Sequence, residues 1–224
     1  MQTDTFSYFK VDFHTHTSSS KDSLTTPEAI IAAARRRGLD RLVITDHNSI
    51  AGARVAQRLA PDLIIVGEEI MTQSGELLAS FVEEEIPPGL PVKEAIRRLR
   101  QQGAFISVSH PFDRSRSGFA LADLDEIAPL VDAIEVYNAR CVFKRTNQLA
   151  QDYAQVHHLA GTAGSDGHIA WEIGRACLKV PPFHSADELR QVIGRGEPLG
   201  HRVPLVMHAY ATVISIPKRI GYGK

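Results

Sequence analysis

The sequence predicts a parallel α/β fold made of a single large domain. Short apolar segments alternate with helical patterns along the whole chain, and no low-complexity linker, repeat or long charge run divides its 224 residues. No glycine-rich phosphate loop follows the first strand, which favours a closed or distorted barrel over an open sheet. The length agrees, because single α/β barrels commonly contain roughly 200 to 250 residues.

Eight short segments have the continuous apolar or alternating pattern of β-strands. The predicted strands span residues 11–14, 42–45, 63–66, 76–82, 104–108, 133–136, 159–163 and 176–180. The sequence Pro87-Pro88-Gly89 predicts a turn between the fourth strand and the helix that follows it.

Six segments carry helical spacing or the residues that begin and end helices. The first is the clearest, since Thr26 suits an N-cap, Pro27 the first helical position and Gly38 the residue after the last turn. The predicted helices span residues 29–37, 50–59, 92–102, 121–128, 144–156 and 186–193. The pattern of residues 205–224 does not assign them to either class.

The composition indicates the cellular compartment of the protein and the classes of binding partner to expect. Hydrophobic residues make up 43% of the chain and charged residues 23%, as in ordinary soluble domains, and the net charge of -1 gives no overall attraction to nucleic acid or anionic membranes. With only Cys141 and Cys177 present, no disulfide framework is possible, which suits a reducing compartment. The polar N-terminus lacks a signal-peptide pattern, and no apolar run could cross a bilayer. A cytoplasmic protein with no membrane contact is expected.

Histidines and carboxylates recur where the predicted strands end. His14 and His16, in VDFHTHT, are two residues apart, a spacing that points both imidazoles to one face of a strand. The C-terminal strand ends of a parallel barrel share one rim, so residues distant in sequence could meet there. The full set is His14, His16, Asp46, His47, Glu68, Glu69, His110, Glu135, Asp166 and His168. Imidazole and carboxylate together suit divalent first-row metals, which predicts a metal site at the rim.

Each of these motifs also has a simpler interpretation. Asp46 could cap a helix that begins near residue 50, and Asp166 could order a glycine-rich turn. Convergence is favoured because five of the ten histidines fall at strand ends, with carboxylates in matching places. Surface positions are expected for His157, His158, His184 and His201, and the pattern assigns no role to His208.

Taken in order, the motifs HTHT, KDS, ITDHN, GEE, SHPFD, IEVYN and GSDGH resemble the PHP family, named for polymerase and histidinol phosphatase. The resemblance covers most of the chain, from about residue 11 to about residue 180. It implies a distorted (β/α)7 barrel with a metal site at the C-terminal strand ends. Residues 1–224 are then expected to form one PHP-type domain, with 181–224 as a C-terminal extension packed on the barrel.

The resemblance also implies which residues bind two or three divalent ions. The first implied site consists of His14, His16, Glu69 and Asp166. The second consists of His110 and of Glu69 as a bridging ligand, and the third of Asp22, His47 and His168. Many relatives have a histidine where this chain has Glu76, so Glu76 is a possible substitute ligand. Glu135 and Asn138 are possible ligands or outer contacts, and strand alternation points Glu68 away.

The activity that the resemblance implies is metal-dependent phosphoric ester hydrolysis by metal-activated water, with manganese, zinc or iron as the ion. The expected substrate is a phosphomonoester or terminal phosphodiester: a nucleotide, a short oligonucleotide or a small phosphorylated metabolite. Near-neutral charge disfavours long duplex DNA, which usually requires a basic track. The candidate phosphate contacts are Arg114 and Arg116, after HPFD, and Arg140, after EVYN.

Two other classes of protein stay open. A metal-dependent amidohydrolase can also begin with H-x-H on a barrel strand, although no lysine lies at a strand end here for carbamylation. The second alternative is a non-catalytic PHP module that binds metal. It stays open because this chain has Glu76 where many relatives have a histidine. Among the phosphate contacts, Arg116 could instead pair with Asp113. Trp171 could stack on a base or sugar, or simply anchor its loop.

Overall fold

The computed structural model describes residues 7–219, which contain nine strands and seven α-helices. The strands are β1 (Phe9–Asp12), β2 (Arg41–Ile44), β3 (Ile64–Met71), β4 (Glu76–Ser80), β5 (Phe105–Val108), β6 (Ala133–Asn138), β7 (Ala160–Gly164), β8 (Ala176–Val180) and β9 (Glu197–Gly200). The helices are α1 (Pro27–Arg36), α2 (Ala51–Leu59), α3 (Val92–Gln101), α4 (Leu121–Ile127), α5 (Lys144–Val156), α6 (Ala186–Val192) and α7 (Leu205–Arg219). The predicted elements are therefore confirmed to within a few residues, and β9 and α7 are additions.

The strands form one sheet in the order β7-β6-β5-β4-β3-β2-β1-β8-β9. The sheet curls until β7 reaches β1, where the Phe13 N–H donates to the Ala163 carbonyl at 3.1 Å. Beyond the strand ends, the Asp166 N–H donates to the His14 carbonyl at 2.7 Å. Strands β1 to β7 thus make a nearly closed barrel, and β8 and β9 extend the sheet past β1. This confirms the predicted distorted barrel.

The sheet is not wholly parallel, which is where the structure differs from the prediction. Strand β4 runs antiparallel to both β3 and β5, and β8 runs antiparallel to β1 and β9. The reason for β4 is the short connection after β3, where the Thr72 N–H donates to the Gly75 carbonyl at 2.9 Å. Such a turn cannot hold the crossover of about a dozen residues that a parallel strand needs. One consequence is that β4 begins, rather than ends, at the rim where its neighbours end.

Helix α1 shows how local sequence sets an element. The Thr26 hydroxyl accepts from the Ala29 N–H at 3.3 Å, Pro27 occupies the first turn, and Gly38 has a φ of 65°. Its buried face, which includes Ile30 and Ile31, belongs to the core between the helices and the outer surface of the sheet. The predicted capping of this helix is confirmed.

The barrel interior has its own core, which fills the end opposite the rim. Inward residues of the strands, Val11, Val43 and Phe105 among them, pack with Phe183 and Leu189 from the segment around α6. Residues 181–195 therefore cover the strand starts and leave the strand ends open. One domain was expected over residues 1–224, of which residues 1–6 and 220–224 lie outside the described residues. That residues 181–224 form a C-terminal extension of this domain stays a prediction.

Helix α7 lies in the segment for which the sequence pattern predicted neither a helix nor a strand. It crosses the rim and presents His208 and Thr212 to the cavity there. Between residues 7 and 219, no helix combines the length and the apolar character that a membrane span requires.

Candidate metal centre

His14 and His16 follow β1 and lie fully buried at the centre of the rim. The backbone between them stays extended, because Thr15 forms a bridge with Gly167 beside β7. Both rings therefore face the same way, with centroids 5.0 Å apart. The predicted convergence of this pair on one face is confirmed.

Glu69, within β3, is the carboxylate around which four imidazoles gather. Its Oε2 lies 3.3 Å from His14 Nε2, 3.5 Å from His16 Nε2 and 3.0 Å from His47 Nδ1. Its Oε1 lies 3.5 Å from His110 Nε2. Burial raises the pKa of Glu69, but the charges of His14 and His47 outweigh this and hold it well below the usual range. Glu69 is thus an anion that can be shared between ions.

Asp166, just after β7, contacts the same pair from the other side. Its Oδ1 lies 3.4 Å from His16 Nε2, 3.7 Å from His14 Nε2 and 3.5 Å from His168 Nδ1. Its φ of 53° turns the chain out of the strand. Burial raises the pKa of Asp166, yet the charges of His14 and Arg116 hold it well below the usual value.

Asp22, His47 and His168 form a second part of the cluster. Asp22 Oδ2 lies 3.5 Å from His47 Nε2 and 3.4 Å from His168 Nε2. His168 Nδ1 lies 2.8 Å from the Asp166 carbonyl oxygen, which leaves Nε2 to face Asp22. The loop after β1 therefore brings Asp22 to the rim, in the arrangement that the sequence motif implied.

Glu76 lies beside Glu69 because β4 starts at the rim. Its Oε2 lies 3.5 Å from His110 Nε2. Burial and the neighbouring charge of Glu69 raise the pKa of Glu76 to about 8. In the absence of a cation this environment favours the protonated form of Glu76, and a bound cation would instead favour the ionised carboxylate.

Outer contacts orient the two central imidazoles. His14 Nδ1 lies 3.0 Å from Glu135 Oε1, and Glu135 Oε2 accepts from the His110 N–H and the Asn138 amide. Both Glu135 oxygens are thus engaged behind His14, a supporting position rather than one facing the cluster. Such contacts set the tautomer of an imidazole and aim its other nitrogen.

His16 is oriented by Ser20, which the sequence analysis did not single out, and through it by Asp46, which was expected at the rim but without this role. His16 Nδ1 lies 3.2 Å from the Ser20 hydroxyl, which donates to Asp46 at 2.6 Å. Asp46 also accepts from the Thr17 N–H and hydroxyl. Instead of capping α2, Asp46 orders the loop after β1. Its position directly before His47 in ITDHN was the available signal.

The donor set fits divalent cations. Within residues 7–219, the Nε2 atoms of His14 and His16 are buried without a hydrogen-bond partner. Three groups of ligand atoms each lie within 4.8 Å of one another: His14, His16 and Asp166; His16, His47 and His168; and His47, Glu69 and Glu76. Nitrogen and oxygen donors of this kind suit zinc, manganese and iron.

The pKa values of His14 and His16 also agree with the binding of a divalent cation at this site. Burial, and then His168 and His47, lower the pKa of His16 to about 4, so its nitrogen keeps a lone pair. Burial also lowers the pKa of His14, but Glu69 and Asp166 raise it well above the usual value. A proton on His14 therefore occupies the position between carboxylates that a cation would take.

A cavity of about 380 Å³ opens beside the cluster and is bounded by α7. Arg116 and Arg140 line it. The Arg116 guanidinium is engaged by Asp166 and by Asp113, whose Oδ2 lies 3.0 Å from Nε. The expected pairing of Arg116 with Asp113 is present.

The other side chains proposed to face the substrate lie elsewhere. Arg114 is exposed and is not among the residues that line the cavity. The Arg175 guanidinium lies 3.5 Å from the centre of the Trp171 ring, and Trp171 is not among the residues that line the cavity. Glu68 points away from the cluster and accepts from the Ile86 N–H at 3.0 Å, as strand alternation predicts.

Sequence comparisons place this chain among known proteins. A family model described as PHP-associated matches residues 144–198. One uncharacterised protein of Methanocaldococcus jannaschii is 38% identical over 174 residues, which cover 76% of this chain and 70% of that protein. A second from the same organism is 33% identical over 145 residues, covering 58% of this chain and 82% of its own length.

Solved structures share the fold at low identity. PsfC from Pseudomonas syringae PB-5123 aligns over 96% of this chain and 99% of its own, with a TM-score of 0.68 and 18% identity. A protein solved as a candidate metal-dependent phosphoesterase from Bifidobacterium adolescentis covers 88% and 98%, with a TM-score of 0.63 and 18% identity. The lesion-specific endonuclease Q of Pyrococcus furiosus covers 86% of this chain, which spans 58% of it, with a TM-score of 0.63 and 15% identity. The ordered motifs, the distorted barrel and these matches lead to one conclusion: the chain belongs to the PHP family.

Proposed function

We propose that this protein hydrolyses a phosphomonoester or a terminal phosphodiester with the help of two or three divalent ions. The observation that carries the proposal is the pair of buried Nε2 atoms of His14 and His16, which have no hydrogen-bond partner in the described structure and face Glu69 and Asp166. Membership of the PHP family supports it. Manganese, zinc and iron are the ions that the donor set suits.

The proposed ligand groups follow the geometry. The first group is His14, His16, Glu69 and Asp166, the second is Glu69, His110 and Glu76, and the third is Asp22, His47 and His168. When bound, such ions lower the pKa of water and neutralise charge on the phosphoryl oxygens. In this assignment Glu76 stands where many relatives have a histidine.

The remaining residues prepare the site. Glu135 and the Ser20–Asp46 pair hold the central imidazoles with their Nε2 atoms towards the cluster. Arg116 holds Asp166 in place, and Arg140 lines the cavity beside the cluster. We assign substrate contact to this cavity, because an anionic group within it can approach the cluster.

The nature of the substrate is also a proposal. Endonuclease Q has been solved with a 27-mer duplex that carries an abasic lesion at its active site, and it shares this fold at a TM-score of 0.62. We therefore keep a short nucleic acid beside a small phosphorylated metabolite as substrate classes. The net charge of -1 favours the smaller of the two.

The test compares three substrates with manganese present: p-nitrophenyl phosphate, bis-p-nitrophenyl phosphate and a p-nitroanilide amide. We expect phosphate ester hydrolysis by the wild type and its loss on metal chelation. The His14→Ala variant should lose more than the roughly 10- to 100-fold that removal of an outer partner of a metal ligand typically costs, because it removes a proposed ligand itself. His201→Ala, an exposed histidine away from the cluster, is the matched control and should retain it.

The outcomes separate the alternatives. Turnover of the amide alone would favour an amidohydrolase, the class to which a neighbour from Chromobacterium violaceum with bound sulfate belongs, at a TM-score of 0.57. Bound ions without turnover of any substrate would favour a non-catalytic module. Phosphate ester hydrolysis that survives thorough metal removal would contradict the proposal.

A further inference from the structure

Helix α7 packs on the barrel through one narrow face. Ala211 and Ser215 on that face are buried. Lys218, on the same side, donates to the carbonyl oxygens of Ser20 and of Ser23, the latter at 2.9 Å, in the loop after β1. Residues three or four apart lie on one side of a helix, so this inner face is anchored and the opposite side of α7 is directed away from the protein.

The opposite side, which we call the outer face of α7, is apolar and exposed. Between 44% and 71% of the surface of each large residue on it is accessible: Leu205, Val206, Tyr210, Val213 and Ile216. The sequence of the helix contains no Asp, Glu, Lys or Arg before Lys218. A surface helix normally carries charged residues opposite its packed side, whereas a helix that is apolar all round is normally buried. The outer face of α7 therefore has the composition of a covered surface.

An aromatic side chain lies near the beginning of this helix. Phe143 is 73% exposed and directly precedes α5. The segment before α7 is joined to the same region, because the Arg202 guanidinium donates to the Val142 carbonyl at 2.6 Å. The next residue, Val203, donates its N–H to the Ala139 carbonyl at 2.8 Å. Phe143 therefore adds to the apolar surface at the start of the outer face.

The size of this surface matches one side of a protein–protein interface. With Phe143 included, its exposed side chains present on the order of 600 Å² of apolar area, at the upper limit of what monomers leave in one patch. A standard interface buries about 800 Å² on each partner, of which roughly 55–65% is apolar. The outer face and Phe143 together supply that apolar share.

The spacing of the residues fits pairing with another helix. Steps of three and four residues, as between the a and d positions of a coiled-coil seam, separate Val206, Ala209, Val213 and Ile216. The ten residues from Val206 to Ile216 extend about 15 Å along the helix axis. Ala209 is small and exposed, so a second helix can approach closely at that point.

A second copy of this chain fits these features better than a membrane does. In a twofold dimer a face packs against its own copy, so charged residues near the axis would repel their equivalents. The outer face of α7 has none before Lys218. Helices that lie on membranes need a polar side rich in lysine and arginine, whereas the inner face of α7 is packed on the barrel and Lys218 is engaged by backbone carbonyls.

We infer that the outer face of α7 is the interface of a homodimer, in which α7 packs against α7 of the second copy about a twofold axis. This dimer does not depend on the proposed phosphoesterase activity. It affects the site nonetheless, because the same helix presents His208 and Thr212 to the cavity beside the cluster. Dimerisation would hold this wall of the cavity between two packed surfaces.

Sedimentation velocity of the full chain measures the assembly state. At about 1 to 100 µM we expect a species of twice the chain mass of 24.6 kDa, since interfaces of standard size bind at micromolar concentration or tighter. Val206→Asp and Val213→Asp should each raise the dissociation constant of the dimer at least about 100-fold, because the dimer would bury the new carboxylate twice. Val156→Asp is the matched control, a valine 72% exposed at the end of α5, and should dimerise as the wild type does.

Cysteine cross-linking covers the case in which an aspartate disturbs α7 itself. The native Cys141 and Cys177 are buried, so a cysteine introduced on the outer face supplies the accessible thiol. A disulfide needs Cα atoms within about 7 Å, so it forms only where a residue lies close to its own copy. On oxidation, Val156→Cys should stay monomeric. A disulfide-linked dimer should form with at least one of Val206→Cys, Ala209→Cys, Val213→Cys and Ile216→Cys.

Two results would overturn the homodimer. A wild type that stays monomeric over the whole concentration range excludes it, and binding of that monomer to phosphatidylcholine vesicles with about 30% phosphatidylserine would identify a membrane surface as the occupant of the outer face. A dimer that persists unchanged in Val206→Asp and Val213→Asp, with no disulfide in any of the outer-face cysteine variants, would place the interface elsewhere on the molecule.

Discussion

At the scale of single residues, the site is governed by how its carboxylates are neutralised. Glu69 is surrounded by four imidazoles, whereas among residues 7–219 the one ion-pair contact of Glu76 is with His110, at 3.5 Å, and Glu76 lies next to Glu69. The raised pKa of Glu76, to about 8, follows from its burial and from this neighbour. A divalent ion between the two carboxylates would remove their mutual repulsion.

Glu76→Gln should therefore weaken binding of one ion and leave the others in place. The change keeps the shape of the side chain and removes its charge. We expect affinity for that ion to fall roughly 10- to 100-fold, the range seen when groups around a metal are altered. Elemental analysis under limiting manganese measures it, with the exposed Glu83→Gln as control. Unchanged metal content and rate would remove Glu76 from the ligand groups.

Glu68 gives a prediction about pH. Burial, and then the charge of Glu85, raise the pKa of Glu68 from 4.5 to about 8 in the folded protein. Between these values the folded state holds more protons than the unfolded state, so this residue lowers the free energy of unfolding as pH rises from about 4.5 to 8. The penalty is absent below that window and constant above it.

Glu68→Gln should remove that penalty, because glutamine keeps an acceptor for the Ile86 N–H and carries no charge. We expect the variant to gain a few kcal/mol over the wild type at pH 9 and almost nothing at pH 4. Urea denaturation at several pH values measures the difference. A constant difference across the range would show that Glu68 is not the titrating group.

At the scale of elements, the close approach of β7 to β1 positions His14. A Cβ added at Gly164 would lie 2.3 Å from His14 Cβ and 2.8 Å from His14 N. Backbone at that distance cannot move aside without shifting the pair of histidines. Glycine is needed at position 164 because there is no room for a Cβ. The backbone conformation does not itself require glycine, since the φ of Gly164 is not positive.

Gly164→Ala should therefore cost about 1–3 kcal/mol of stability and also lower metal content, because overpacking would displace His14. Gly194→Ala is the matched control, since a Cβ there meets nothing within 4 Å. Its effect should stay within about 1 kcal/mol in either direction. Chemical denaturation and elemental analysis report the two quantities. Normal metal content in Gly164→Ala would contradict this account of the strand contact.

At the scale of the whole molecule, the cluster joins the ends of the strands that form the barrel. Ions bound there should stabilise the folded state, since the unfolded chain does not assemble the ligands. At manganese concentrations of about 100 times Kd, we expect about 2.7 kcal/mol of added stability and a higher Tm. A chelator should reverse the shift. The His14→Ala variant should show a much smaller increase in Tm when manganese is added. A wild-type Tm that does not change with manganese concentration would argue against the metal centre.

Local patterns in the sequence were enough for most elements and for the position of the cluster. Alternation and helical spacing depend on neighbouring residues, so the elements and the capping of α1 by Thr26 could be predicted. Because parallel strands end at one rim, His14 and Asp166 could be expected to meet although 152 positions separate them. The residue types predicted a metal site at the rim, whereas the expectation of phosphoric ester hydrolysis came from the resemblance to the PHP family.

Other features were decided only by tertiary structure. The antiparallel direction of β4 depends on a turn, and the Ser20–Asp46 support of His16 joins two loops. Helix α7 is placed at the site by tertiary contacts, among them those of Lys218 with the loop after β1. None of these has a local pattern, because each depends on which distant segments pack together. The sequence by itself therefore determined the barrel and the donors at its rim, while packing between distant segments decided how those donors are oriented and what covers them.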